Sequence, residues 1–141
     1  MNKQQLEQIL PHRQEMLLLD TCEKVDDNHA LATYKIRGDE FFLRGHFPDN
    51  PVVPGVILCE IMAQSCCVLI NQSNDDQTHK ERIAYFTGIK EAKFKGIVRP
   101  QDELKIETEL TRQMSNFYFA KGKIVVKDNI VALAEFSFAL V

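Results

Sequence analysis

The chain has no C-x-x-C pair among its four cysteines, no excess of positive charge, no internal repeat and no low-complexity linker. Each absence excludes something. Cys22, Cys59, Cys66 and Cys67 lack the spacing of a zinc or redox site. Three of them fall in one apolar stretch, where thiols serve as small buried hydrophobes. Adjacent residues on a helix point about 100° apart, so Cys66 and Cys67 make a poor disulfide, and reduced thiols fit the cytoplasm. A net charge of −3 gives no general attraction for nucleic acid, so any basic site has to be local. The opening "MNKQQLEQIL" has neither the cationic start nor the apolar run of a signal peptide. Glu60, Gln64 and Ser65 interrupt the apolar stretch 56–70, which argues against membrane insertion. The expectation is a cytoplasmic protein that binds no nucleic acid. With 141 residues, 45% hydrophobic and 26% charged, residues 1–141 are expected to form one domain around one core.

What is present is mostly period-two alternation. "HALATYKIRG" places Ala30, Ala32, Tyr34 and Ile36 on one face, and "ELKIETEL" sets Leu104, Ile106, Thr108 and Leu110 against Lys105, Glu107 and Glu109. After "KIVV", an Asp128-Asn129 turn leads into Ile130, Ala132, Ala134, Phe136, Phe138 and Leu140 at every second position, which predicts a hairpin. The polar run 71–80, "NQSNDDQTHK", is expected to be a loop.

Residues 56–70, "VILCEIMAQSCCVLI", break the alternation, being apolar nearly all the way round. That pattern predicts a helix buried on every side, with Pro54 suited to its first turn and Gly55 leaving the backbone open to close approach. Glu60 and Gln64, at i and i+4, share one face of it. The fold class expected from these residues is α+β, one long central hydrophobic helix wrapped by a curled antiparallel β-sheet.

"GHFPDNPVVPGVILCE", 45–60, joins this helix to a stiff lead-in. Pro48, Pro51 and Pro54 each fix their own φ and steer the preceding residue toward extended backbone, so His46 is held near the helix start. There the backbone of Gly55 and Val56 offers free N–H groups and the positive end of the helix dipole. Two readings of the polar residues stand side by side. In one, His46 is structural and Glu60 is satisfied by Gln64 and backbone groups. In the other they form a site that removes a proton beside a carbonyl. In that site the helix N–H groups stabilise the developing oxyanion, His46 takes the carbon-bound proton and Glu60 manages a second oxygen. Elimination of water from a β-hydroxyacyl compound uses all three.

"LPHR" at 10–13, "LLLD" at 17–20, "FF" at 41–42, the 45–60 block with "AQ" at 63–64, and "FTGIKEAKFKGIVRPQDEL" at 86–104 resemble the β-hydroxyacyl-acyl-carrier-protein dehydratases of type II fatty acid synthesis. The resemblance runs in order from about residue 10 to the C-terminus. It implies a hotdog fold and conversion of (3R)-3-hydroxyacyl chains on acyl carrier protein to trans-2-enoyl chains, with no metal and no separate cofactor. By the motif, His46 is the histidine that abstracts the C2 proton and Glu60 the acid that orients or protonates the departing hydroxyl. Gly55 would donate its N–H to the thioester carbonyl, and Gln64 would hold Glu60 or a water. The resemblance further implies a homodimer or a trimer of dimers, with His46 and Glu60 meeting across the dimer interface.

Glu60 resembles the branch that dehydrates without isomerising, since the isomerising branch carries aspartate there. Gln14-Glu15-Met16, Asp49 and Gln101 depart from the commoner pattern and bear on the acyl chain. A dehydratase of a specialised polyketide or polyene pathway, a hotdog acyl-thioester hydrolase and a non-catalytic acyl-binding subunit are the alternatives. Acyl carrier proteins are acidic, so Lys90, Lys93, Lys95 and Arg99 are docking candidates, or else plain solvated residues protecting a strand edge. Arg13 reads as an anchor of the N-terminal segment or as a phosphate contact. Phe42, Phe47, Phe86 and Phe94 read as tunnel lining or as core. His12, His29 and His79 show no partner spacing and receive no catalytic role.

Overall fold

The computed structural model describes residues 1–73 and 83–141. Most of the polar run expected as a loop, His79 included, lies outside the described residues, while Asn71, Gln72 and Ser73 belong to the helix. A short capped helix α1 (Lys3–Leu6) opens the chain, followed by β1 (Thr21–Asp26) and β2 (His29–Lys35). The long helix α2 (Gly55–Ser73) comes next, then β3 (Ala84–Phe94), β4 (Glu103–Met114), β5 (Phe117–Val126) and β6 (Asn129–Leu140). The strands form a six-stranded sheet in the order β1-β2-β4-β5-β6-β3, every pairing antiparallel.

Helix α2 packs into this sheet, and the alternation explains how. Ala30, Ala32, Tyr34, Ile36, Leu104, Ile106 and Thr108 are all buried, as the pattern predicts, while Leu110 is half-buried. Many of the sheet residues on this face are small, including Ala30, Ala32, Ala120 and Ala134. Gly122 completes the seat, because a Cβ there would lie 3.1 Å from the Met62 side chain. Close approach lets Ile61, Met62, Cys66, Val68, Leu69 and Ile70 be buried completely, each large side chain contributing roughly 1.5–3 kcal/mol by leaving water. The buried Ser65 hydroxyl is satisfied by Thr108 at 3.0 Å. By length and composition alone α2 would span a membrane, yet 67% of that stretch is buried inside the fold, so it is a core helix.

Two details of the C-terminal hairpin correct the sequence reading. The turn is Lys127-Asp128, both at positive φ (49° and 67°), and Asn129 already pairs with Val126 in the ladder. Two successive left-handed residues match the twist of the flanking strands, which an Asp128-Asn129 turn would shift by one. The second correction is Ile130, which is exposed, whereas Val131 is buried. Ile124 pairs with Ala132 and Val125 with Ile130, so Val131 is the extra residue of a β-bulge, and the alternation restarts beyond it. Val131 then packs where a Cβ on Gly96 would meet it at 3.0 Å.

Strand β3 differs from the rest. It lies at the sheet edge beside β6, and no residue in it is buried. Tyr85, Phe86, Ile89 and Phe94 are all exposed, although Phe86 stacks on Phe138 with ring centroids 5.1 Å apart.

Candidate active site

His46 stands in the proline-rich segment just after the short helical turn Phe41–Leu43. Its main chain and side chain are fastened to the same residue. The Val52 N–H donates to the His46 carbonyl at 2.8 Å, and His46 Nδ1 lies 2.9 Å from the Val52 carbonyl. A carbonyl oxygen can only accept, so Nδ1 carries a proton, and in the neutral imidazole Nε2 then keeps the lone pair. The segment is tied to the core through Val53 N–H, which donates to the Val98 carbonyl at 2.9 Å. The His46–Phe47 peptide is cis, and the Phe47 ring stacks on the imidazole at 4.3 Å. Phe47 is itself 51% exposed.

Helix α2 starts at Gly55, with the Pro54 carbonyl accepting from Ile57 and Leu58. The proline therefore caps the helix instead of sitting within its first turn. Among the described residues, nothing accepts from the N–H of Gly55 or Val56, and Val56 is 76% exposed. A Cβ on Gly55 would lie 2.9 Å from the Phe94 ring, so any larger residue there would make that exposed ring shift. Two free donors at the positive end of a 19-residue helix form a place for developing negative charge.

Glu60, one and a half turns on, is 21% exposed at its side chain and is fixed by Gln64. The fully buried Gln64 amide uses both ends: Nε2 donates to the Met16 carbonyl at 2.6 Å and to Glu60 Oε1 at 3.0 Å, while its oxygen accepts from Leu18 N–H at 2.9 Å. Segment 10–18 thus wraps the carboxylate. His12 stands there too, its Nε2 3.3 Å from Glu60 Oε1. Sequence reasoning passed over His12, because the contact joins residues 48 positions apart and has no local signature. The "LPHR" motif, which it occupies, was the one available signal. Arg13 bonds locally, donating to the Leu10 and His12 carbonyls at 2.8 and 2.7 Å.

Cys67 lies on the same helix face as Glu60, and burial, then the Glu60 charge, pushes its thiol up to about 12. Burial also raises Cys59. These groups stay protonated thiols near neutral pH, as befits packing residues. Among the described residues, no three His, Cys, Asp or Glu side chains converge on a metal position.

Not every site residue is brought together. Within one chain, no hydrogen bond or ion pair among the described residues joins His46 to Glu60. Two surface cavities, of about 770 and 630 Å³, lie elsewhere and include neither residue. The four basic candidates are exposed but do not share one environment. Lys93 lines the larger cavity beside Glu91, Glu107 and Glu135, whereas Arg99 donates to Asn50 in the proline-rich segment. Phe42 is core, while Phe86 and Phe94 are open to solvent.

Solved structures with the same architecture define the class. The dehydratase heterocomplex ApeI:P from Xenorhabdus doucetiae superimposes with a TM-score of 0.83 at 20% identity, covering 96% of this chain and 90% of that one. The PaaI protein from the phenylacetic acid degradation operon of E. coli gives 0.64 at 17% identity, covering 84% and 80%. The chain has the hotdog fold. A family model described as the FabA-like domain matches residues 10–135. Two relatives named 3-hydroxyacyl-[acyl-carrier-protein] dehydratase FabZ match almost end to end. That of Bacillus velezensis is 37% identical over 99% of this chain and 98% of its own, and that of Clostridium tetani 40% identical over 94% and 92%. The chain belongs to this FabA-like family, among the FabZ dehydratases.

Proposed function

We propose that the protein is a hydro-lyase of fatty acid biosynthesis that converts (3R)-3-hydroxyacyl-acyl carrier protein to the trans-2-enoyl form, with residues 1–141 acting as one cytoplasmic domain. The observation that carries this reading is the near end-to-end similarity to FabZ dehydratases in a chain whose His46 Nε2 is left as a free proton acceptor. The thioester carbonyl receives the Gly55 N–H, with the Val56 N–H beside it, which acidifies C2 by stabilising the enolate-like oxygen. His46 Nε2 takes the C2 proton, and its Nδ1–H bond to Val52 holds the imidazolium that forms. The C3–O bond breaks as Glu60 delivers its proton to the hydroxyl, and water leaves. One proton has passed to His46 and one from Glu60, so exchange with solvent restores both. Phe47 lies against His46 and would flank the acyl chain. With glutamate at position 60, the reaction stops at dehydration without isomerisation.

The working unit in this reading is a homodimer, three of which make the larger assembly that the family resemblance implies. Two observations support a second copy: His46 and Glu60 do not meet within one chain, and β3 leaves an apolar edge open. Carrier-protein docking is assigned to Lys90, Lys93, Lys95 and Arg99, whose charge complements an acidic partner. Replacing them should raise KM for the carrier-linked substrate.

The test follows loss of water by mass spectrometry from 3-hydroxyacyl chains of several lengths on acyl carrier protein. Wild type should yield the enoyl product and His46→Ala none, with fold and assembly unchanged. Release of free acid would replace this reading with thioester hydrolysis, and binding without turnover with an acyl-binding subunit.

A further inference from the structure

Glu60 is gripped at one oxygen only. Gln64 Nε2 donates to Oε1 at 3.0 Å, the His12 Nε2 atom lies 3.3 Å from the same oxygen, and among the described residues nothing donates to Oε2. His12 is not placed by chance, because Arg13 clamps the carbonyls of Leu10 and His12 itself, and Leu10 is buried. The other ring nitrogen, Nδ1, is buried with no hydrogen-bond partner among the described residues. A bare buried ring nitrogen is unfavourable, so an apolar side chain would fill this place better if packing were the whole purpose. The ring nitrogen that faces the acid is Nε2.

We propose that His12 is a positioning residue for dehydration, which with Gln64 holds Oε1 of Glu60 so that Oε2 carries the proton and meets the 3-hydroxyl. The inference rests on the dehydratase reading. Gln64 donates to Oε1 and the His12 ring nitrogen lies beside it, so the acid proton belongs on Oε2, the oxygen free to reach substrate. When the C3–O bond breaks, that proton leaves with the hydroxyl as water and Glu60 becomes a carboxylate. The Gln64 bond to Oε1 then becomes charge-assisted, and the His12 contact strengthens as the carboxylate gains charge. An interaction that is stronger in the transition state than in the ground state acts on kcat and not on KM.

Steady-state turnover of a 3-hydroxydecanoyl chain on acyl carrier protein tests this with wild type, His12→Leu and His12→Gln. Glutamine returns a donor at the position of Nε2, and leucine returns only volume. Expected is a kcat lower by roughly 10- to 100-fold in His12→Leu, as for a misplaced catalytic group, with KM within about twofold and most of kcat recovered in His12→Gln. His12→Ala stands in if leucine prevents folding. An unchanged kcat in the variant lacking the donor, or a glutamine variant no better than it, would overturn the assignment. A wild type that does not turn over would instead overturn the dehydratase reading itself.

Discussion

Strands β5 and β3 both pair with β6 and both are rich in apolar side chains, yet their burial is opposite. Every second residue of β5 from Tyr118 to Val126 is buried, while β3 buries none of its eleven. The difference is one of position. The β5 residues face α2, and those of β3 run past it to an open edge. A long apolar edge left open invites pairing with another chain. The β5 face is covered within this chain, and the β3 side chains are not.

The same substitution should separate the two sides. Ile61→Ala, in the completely buried wall of α2, should lower unfolding free energy by about 2–5 kcal/mol at any protein concentration, read from urea titration. Ile89→Ala, at a half-exposed β3 site, should change the fold of the single chain by no more than about 0.5 kcal/mol. Its effect should appear in light scattering as weakened self-association, with far-UV circular dichroism unchanged. An equal and concentration-independent loss at both positions would erase the comparison.

Alkaline pH sharpens it from the core side. Burial raises Cys22 from 9.0 to about 11 and Cys67 from 9.0 to about 12, so the folded chain keeps protons that the unfolded chain releases first. Their contribution is fully present below about pH 9 and is lost as pH climbs through about 11. Urea midpoints should therefore fall between about pH 8 and about pH 10.5, and a Cys22→Ala/Cys67→Ala variant should show a shallower fall. An identical slope would remove the thiols from the account.

A gain in stability is expected at the β5–β6 turn. Lys127 and Asp128 both hold positive φ, which favours asparagine and glycine. Lys127→Asn with Asp128→Gly should add about 1 kcal/mol to stability without altering assembly, visible as a higher melting temperature. A lower one would mean that these side chains contribute more than their backbone strain.

Much of the core was legible because period-two alternation and an all-apolar run each have one economical burial. That logic placed Ala30 through Ile36, Leu104 through Thr108 and helix α2 correctly. It failed at Ile130, because a bulge adds a residue without any mark in the local pattern. Within the candidate site, the helix start at Gly55 and the Glu60–Gln64 pairing were readable, since helix periodicity acts over a few residues. His12 was not, because its distance from Glu60 depends on how the N-terminal segment folds back over α2.

By itself the sequence determined helix α2, the alternation of β2 and β4, most of the β5–β6 hairpin and the polar residues placed along the start of α2, all consequences of short-range geometry and burial. Only the tertiary structure decided that His46 Nδ1 bonds Val52, that Gln64 and His12 converge on one oxygen of Glu60, and that β3 is an edge strand with no buried residue. Those facts depend on contacts between distant segments, and pattern along a chain carries no record of which segments meet.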